Sequence, residues 1–155
     1  MRKVSMAQTH GDPTLEGLAV LVGHWSMEVQ PPVGSPWVGG RGRASFEWLN
    51  GHKFLIQRWM IEVPEAPDGI AIIGAGEEPG TLRQHYFDSR GVVRVYEMSL
   101  IEGIWKLWRN ASDPFPQRYI GAVSGDHETI TGRWERAESG SNWETDFDLT
   151  YRRLE

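Results

Sequence analysis

Apolar and polar residues alternate along most of the chain after Gly23, and the alternation is most regular near the C-terminus. A period of two residues is typical of a β-strand with one buried face. In the segment 143–153, one face carries Trp143, Thr145, Phe147, Leu149 and Tyr151, and the other carries Glu144, Asp146, Asp148 and Thr150. We therefore predict that the apolar set points into the protein and that the acidic stripe faces solvent.

Similar short runs recur between turn sequences rich in glycine, proline, asparagine and aspartate, which is typical of an all-β protein. We predict ten strands, at residues 25–29, 43–49, 52–63, 70–75, 82–87, 92–99, 104–110, 117–123, 129–136 and 143–153. Asn50-Gly51 predicts a two-residue type I′ hairpin, whose central residues both take positive φ. Tight connections favour an up-and-down antiparallel meander, and closure into a barrel removes its exposed edges.

One short helix precedes the strands. Apolar residues at positions 15, 18, 19 and 22 share one helical face, Asp12 suits the N-cap, Pro13 suits the first helical position and Gly23 suits the stop. A helix of about ten residues is too short to be stable alone. We therefore predict that residues 13–22 cover one end of the barrel.

Composition bounds the class of protein. The chain has 155 residues, which fits one domain at 12–155, and residues 1–11 lack periodicity and are expected to form a disordered arm. It has no cysteine and a formal charge of −5 without a basic face, so we expect no disulfide and no nucleic-acid partner. No signal peptide or membrane-spanning run is visible, and we expect a cytoplasmic protein, as monomer or homodimer, without a membrane partner.

Several motifs recur in one known family: Gly23-His24-Trp25, LNGHKFL (49–55), YFDSRG (86–91), QRYIG (117–121), TITGRWE (129–135) and WETDFDLTY (143–151). Together they resemble a bacterial β-barrel family of unknown function, described as DUF1579-like or lipocalin-like and distantly similar to the nitrobindins. The resemblance implies a calycin-like barrel. Nitrobindins bind heme through a histidine near the C-terminus, but no histidine follows His127 here. Tyr151 could ligate iron; even so, we expect no cofactor and no metal site.

Some strands carry both apolar and polar residues on each face, which indicates a partly polar interior and favours a cavity over a filled core. The eight tryptophans suit the lining of a pocket for a planar or aromatic ligand, although they would equally fill a core. A mid-strand arginine that points inward needs an acid partner or an anionic ligand. The candidate ligand-binding residues are Arg58, Trp59, His85, Tyr96, Trp108 and Arg118.

Three functions follow from this interpretation. The first is the binding of a small apolar or aromatic molecule inside the barrel. The second is a cofactor-independent enzyme, an isomerase, cyclase or hydrolase, with His85 as the base beside Arg58 or Tyr96; a surface histidine is the simpler interpretation of His85. The third is a partner-binding protein with a solid core, in which Trp37 lies at the tip of the loop 33–38.

Overall fold

The computed structural model describes residues 13–109, 116–137 and 142–154. These residues form a closed barrel of ten antiparallel strands in sequence order, in which β1 also pairs with β10. The strands are β1 (Gly23–Gln30), β2 (Gly40–Trp48), β3 (Leu55–Ile61), β4 (Gly69–Ala75), β5 (Leu82–Asp88), β6 (Val93–Ile101), β7 (Ile104–Trp108), β8 (Gln117–Val123), β9 (Thr129–Ala137) and β10 (Trp143–Arg153). The prediction of an all-β, up-and-down barrel with one short helix is confirmed.

The predicted helix is present, but only its first turn is α-helical. Helix α1 (Pro13–Glu16) continues as a 3₁₀ helix (Gly17–Leu21). Leu18 and Leu21 are fully buried, and the Trp25 indole N–H donates to the Leu21 carbonyl at 2.8 Å. We call residues 13–22 the plug, because they cover one end of the barrel. The predicted N-cap, Asp12, and the predicted arm at 1–11 lie outside the described residues.

Arg153, near the end of β10, fastens the plug. Its guanidinium donates to the carbonyls of Val20 and Val22, each at 2.7 Å, and lies 4.2 Å from the centre of the Trp25 ring. The carbonyls at a helix end lack partners within the helix, so a cation there satisfies two of them. Gly23 leaves room for this contact, because its φ is +132° and a Cβ would lie 2.8 Å from Arg153 Nη1.

The connection between β2 and β3 is longer than the predicted two-residue hairpin. The Leu49 N–H donates to the Phe54 carbonyl, so residues 50–53 form the loop. Positive φ occurs at Gly51 and His52, and not at Asn50. The His52 ring stacks on Trp48, with centroids 4.9 Å apart. The type I′ prediction is therefore wrong, and β3 begins at Leu55 rather than at residue 52.

A β-bulge divides β10. Thr145 pairs with Glu135 and Phe147 pairs with Trp134, so Asp146 is an extra residue without a partner of its own on β9. Beyond the bulge, Phe147, Leu149 and Tyr151 point inward as predicted. Before the bulge, the inward-facing and outward-facing positions of β10 are exchanged, because one inserted residue shifts the alternation by one position.

The reversal makes two predictions for this strand wrong. Trp143 lies on the outer face, where the Arg118 guanidinium packs 4.0 Å from its ring centre, and Thr145 pairs with the outer-face residue Glu135. Asp146, predicted to face solvent, lines the barrel interior.

Candidate functional site

A cavity of about 370 Å³ lies inside the barrel, towards the end opposite the plug. Rings dominate its wall: Trp37, Trp59, Tyr86, Tyr96, Trp105, Tyr119, Trp134, Phe147 and Tyr151. Adjacent rings mostly meet edge to face, as Trp105 and Tyr119 do with centroids 5.1 Å apart. The volume falls within the usual range for small-molecule pockets, and ring faces suit a flat apolar ligand.

Trp59 and Tyr96 are the two predicted ligand-binding residues that line this cavity. The Trp59 indole N–H donates to the Pro67 carbonyl at 3.0 Å, which holds its ring in the wall. The Tyr96 hydroxyl donates to the Gln117 side-chain oxygen at 3.0 Å.

The other four predicted residues lie on the outer face of the barrel. Arg58 pairs with Glu47 at 2.7 Å and Arg118 pairs with Glu135 at 2.6 Å, both on the outside. His85 is exposed, and Trp108 is 40% exposed while Trp105, three residues earlier, is buried. The prediction that these four residues belong to the interior is wrong, because the alternation of β3, β5, β7 and β8 turns their neighbours inward instead: Gln57, Gln84, Leu107 and Tyr119.

A pair of glutamines lies inside instead. Gln57 and Gln84 are 5% and 3% exposed, and the Gln84 amide N–H donates to the Gln57 side-chain oxygen at 3.2 Å. The Gln57 side chain also hydrogen-bonds to the Tyr151 hydroxyl, and the amide groups that remain give the cavity wall neutral donors and acceptors. Gln57 alternates with Leu55 and Trp59, so the signal in the sequence was a polar residue within an apolar face.

Three buried donors have no hydrogen-bond partner among the described residues: the Arg83 Nε–H and, in the cavity wall, the Trp105 indole N–H and the Tyr119 hydroxyl. Burial raises the pKa of Tyr119 well above its ordinary value, so the hydroxyl keeps its proton. It lies against Gly121 and Gly132, which pair across β8 and β9, and a Cβ on Gly132 would overlap it. The two glycines therefore make the space that the Tyr119 ring occupies.

We expect Gly132→Ala to lower the free energy of unfolding by about 1–3 kcal/mol, because the added methyl group must displace Tyr119 from a packed wall. Urea denaturation measures the effect. Gly125→Ala is the matched control, since a Cβ there meets no atom within 4 Å. Equal stabilities for the two variants would contradict the tight packing of Tyr119 over Gly132.

The open end of the cavity, which we call the mouth, carries its charged groups. Arg90, Arg94, Arg136, Glu65 and Asp146 line it. Burial raises the pKa of Asp146, the nearby Arg136 guanidinium opposes that shift at 3.8 Å, and Glu144 adds to it. The bulge in β10 thus directs a partly desolvated carboxyl group into the mouth, as bulges beside functional sites do.

One hydrogen-bonded network closes the hairpin between β5 and β6 at the mouth. The Asp88 carboxylate accepts from the Tyr86 hydroxyl at 2.6 Å, from the Arg90 guanidinium at 2.7 Å and from the Arg90 backbone N–H at 2.9 Å. Burial alone would raise the pKa of Asp88, but the hydrogen bonds from Arg90 and Tyr86 outweigh it and lower that pKa to about 2. The carboxylate is therefore a structural anion that positions Tyr86 and Arg90.

The residues present do not fit a histidine-bound heme. Among the described residues, His24, His52, His85 and His127 are exposed, and the cavity wall contains no histidine. Tyr151 does line the cavity, but burial raises the pKa of its hydroxyl, which disfavours the phenolate that binds iron. Within 13–109, 116–137 and 142–154, no three side chains of the metal-binding types lie together. None of the described helices is long and apolar enough to cross a membrane.

No protein-family model matches the chain, and no curated protein is significantly similar to it in sequence. The DUF1579-like resemblance therefore stays a prediction. Among solved structures, the crystal structure of Rv2717c from M. tuberculosis matches with a TM-score of 0.67 and 12% identity, over 92% of this chain and 98% of that one. Identity at this level shows the fold alone. The closed β-barrel of this chain is therefore similar in fold to Rv2717c.

Proposed function

We propose that this protein binds a small, flat, largely apolar molecule inside its barrel. The observation that carries the proposal is the cavity of about 370 Å³ with nine aromatic side chains in its wall. A plain structural barrel would gain stability by packing these rings against one another, since apolar surface left open to water costs free energy. A space lined by rings and closed at one end by the plug suits one small ligand that enters through the mouth.

The cavity wall has few polar groups, and the neutral ones lie deeper than the charged ones. The glutamine pair, Gln57 and Gln84, offers neutral hydrogen bonds in the interior, and the charged groups are confined to the mouth. Such a distribution favours a ligand with an apolar body and a polar end directed outward. Few but well-placed polar groups are typical of sites that orient one small molecule.

The two other hypotheses lose the residues on which they depended. The enzyme hypothesis used His85 as its base, and His85 is exposed on the outer face. The partner-binding hypothesis placed Trp37 at a protruding loop tip. Trp37 lines the cavity instead, with its ring edge-to-face to Phe147 at a centroid distance of 6.2 Å. Trp37 thus supports the binding proposal as a ring at the mouth.

Obstruction of the mouth tests the proposal. Ala66 lines the cavity from the loop between β3 and β4, so Ala66→Trp places a large ring at the entrance without crowding the deep core. We expect a neutral two-ring aromatic compound from a panel, such as naphthalene-2-carboxamide, to bind at one site by calorimetry. The dissociation constant of this compound should rise by about tenfold or more in Ala66→Trp, a loss of binding free energy comparable to that of one good side-chain contact.

Ile120→Trp is the matched control, because it adds the same ring on the outer face of β8, where Ile120 is 46% exposed. This variant should bind like the parent protein. The proposal fails if no member of the panel binds, or if the two tryptophan variants bind equally well.

A further inference from the structure

We propose that Arg94 forms a subsite for a carboxylate on the bound molecule, at the mouth of the cavity. This inference rests on the proposed function and names the chemistry of the ligand's polar end. The ligand is then a flat apolar acid, with its body among the rings of the interior and its carboxylate against the Arg94 guanidinium.

The first support is the convergence of donors at one point of the wall. The Arg94 Nη1 group donates to the Gln117 side-chain oxygen at 2.7 Å, and the Tyr96 hydroxyl donates to the same oxygen at 3.0 Å. Arg94 and Tyr96 lie on β6, and Gln117 lies at the start of β8. Two donors from one strand therefore hold a neutral acceptor at the cavity surface.

The second support is the charge balance of the mouth. Arg90 pairs with Asp88 at 2.7 Å, and Arg136 lies 3.4 Å from Glu144 and 3.8 Å from Asp146. Arg94 differs from both, because no carboxylate oxygen of the described residues lies within 4.0 Å of its guanidinium. A half-buried cation with only a neutral partner is costly, and an anionic ligand would remove that cost.

The third support is the unused hydrogen-bonding capacity of the guanidinium. It has five N–H donors in a planar fork; among the described residues it donates to the Gln117 side-chain oxygen and also to the Tyr96 hydroxyl, which leaves further donors unengaged. The fork matches the two oxygens of a carboxylate, so a bidentate contact can form while the bond to Gln117 remains. Below this point, the rings of Tyr96 and Trp134 meet at a centroid distance of 5.5 Å and offer a surface for the apolar body.

The carboxylates of the mouth help to position the ligand's anion. Asp146 lies beside Arg136, and Glu65 is exposed at the edge of the cavity. Both repel a ligand carboxylate from the rest of the mouth. Among the described residues, no side-chain carboxylate pairs with Arg94. Its guanidinium is therefore the group of the mouth that attracts a bound anion.

Calorimetry with two nearly isosteric probes tests the subsite, naphthalene-2-carboxylate and naphthalene-2-carboxamide at low salt. We expect the parent protein to bind the carboxylate about tenfold or more tightly than the amide, as one charge-assisted contact predicts. Arg94→Gln should abolish this preference while binding of the amide changes by less than about threefold. Arg94→Lys, which keeps the charge but loses the fork, should restore part of the preference.

Arg58→Gln is the matched control, because it removes an arginine from the outer face, where Arg58 pairs with Glu47. It should keep the full preference, and thermal melting of each variant confirms that the protein is folded. The subsite is disproved if the parent binds both probes equally well or if Arg94→Gln keeps the preference; binding inside the barrel would then still stand. Failure of both probes to bind the parent disproves the binding proposal as well.

Discussion

Replacement of Arg153 by methionine is expected to lower the free energy of unfolding by about 2–4 kcal/mol. The guanidinium donates two charge-assisted hydrogen bonds to the carbonyls of Val20 and Val22, and each such bond contributes about 1.5–3 kcal/mol. It also donates to the His127 carbonyl at 3.0 Å, so one side chain joins the plug, the end of β10 and the turn before β9. Methionine keeps an apolar side chain at this position and removes the hydrogen bonds, the contact of the guanidinium with the Trp25 ring and the ion pair with Glu128.

Arg152→Met is the matched control for this substitution. Arg152 is the neighbouring residue on the opposite face of β10, where its side chain is 61% exposed and its ion pair with Glu28 spans 4.0 Å. An exposed pair of this length contributes about 0–0.5 kcal/mol. Urea denaturation should therefore separate the two variants clearly, and comparable losses would mean that Arg153 does not fasten the plug.

Asp88→Asn is expected to cost about 2 kcal/mol of stability at pH 7. The folded protein holds the pKa of Asp88 at about 2, below the ordinary value of 3.8, and one pKa unit corresponds to about 1.4 kcal/mol. Because the pKa is lowered in the folded state, the contribution is complete above about pH 4. It is lost as the pH falls through 2, where the folded carboxylate takes up a proton.

The measurement is urea denaturation of the parent and Asp88→Asn at pH 7 and at pH 2. The difference between them should be about 2 kcal/mol at pH 7 and small at pH 2. Asp148→Asn serves as control, since the Asp148 side chain is 47% exposed and its pair with Arg133 lies at the surface. If the loss of unfolding free energy in Asp88→Asn were the same at pH 7 and at pH 2, the negative charge of Asp88 would not be the source of its contribution to stability.

The strand pattern could be predicted because its signals are local. The segment Gln117–Val123 and the segment Trp143–Arg153 are strands with the bounds that the sequence predicted, since turn residues flank each apolar run. The plug was predictable for the same reason, from apolar spacing between Pro13 and Gly23. The 3₁₀ form of its second half was not, because the contacts of Trp25 and Arg153 that accompany it come from other parts of the chain.

The site was predicted less well, because a strand with polar groups on both faces does not reveal which face is inside. In β3, Gln57 and Arg58 are adjacent, and the choice between them depends on pairing with β2 and β4. The arginine was the more conspicuous candidate, but a guanidinium can reach Glu47 in solvent at little cost. The neutral amide of Gln57 can be buried against Gln84 with its hydrogen bond satisfied.

By itself, the sequence determined that this protein is a meander of ten strands with a short helix before it. Turn chemistry and a period of two residues act within a few neighbouring positions, and tight connections leave each strand only its neighbour to pair with. Only the tertiary structure decided what lines the cavity. The bulge that turns Asp146 inward is a mismatch between β10 and β9, and the setting of Arg94 beside Gln117 depends on the pairing of β7 with both β6 and β8. Strand register and barrel closure depend on contacts between strands, so they cannot be predicted from any single segment of the sequence.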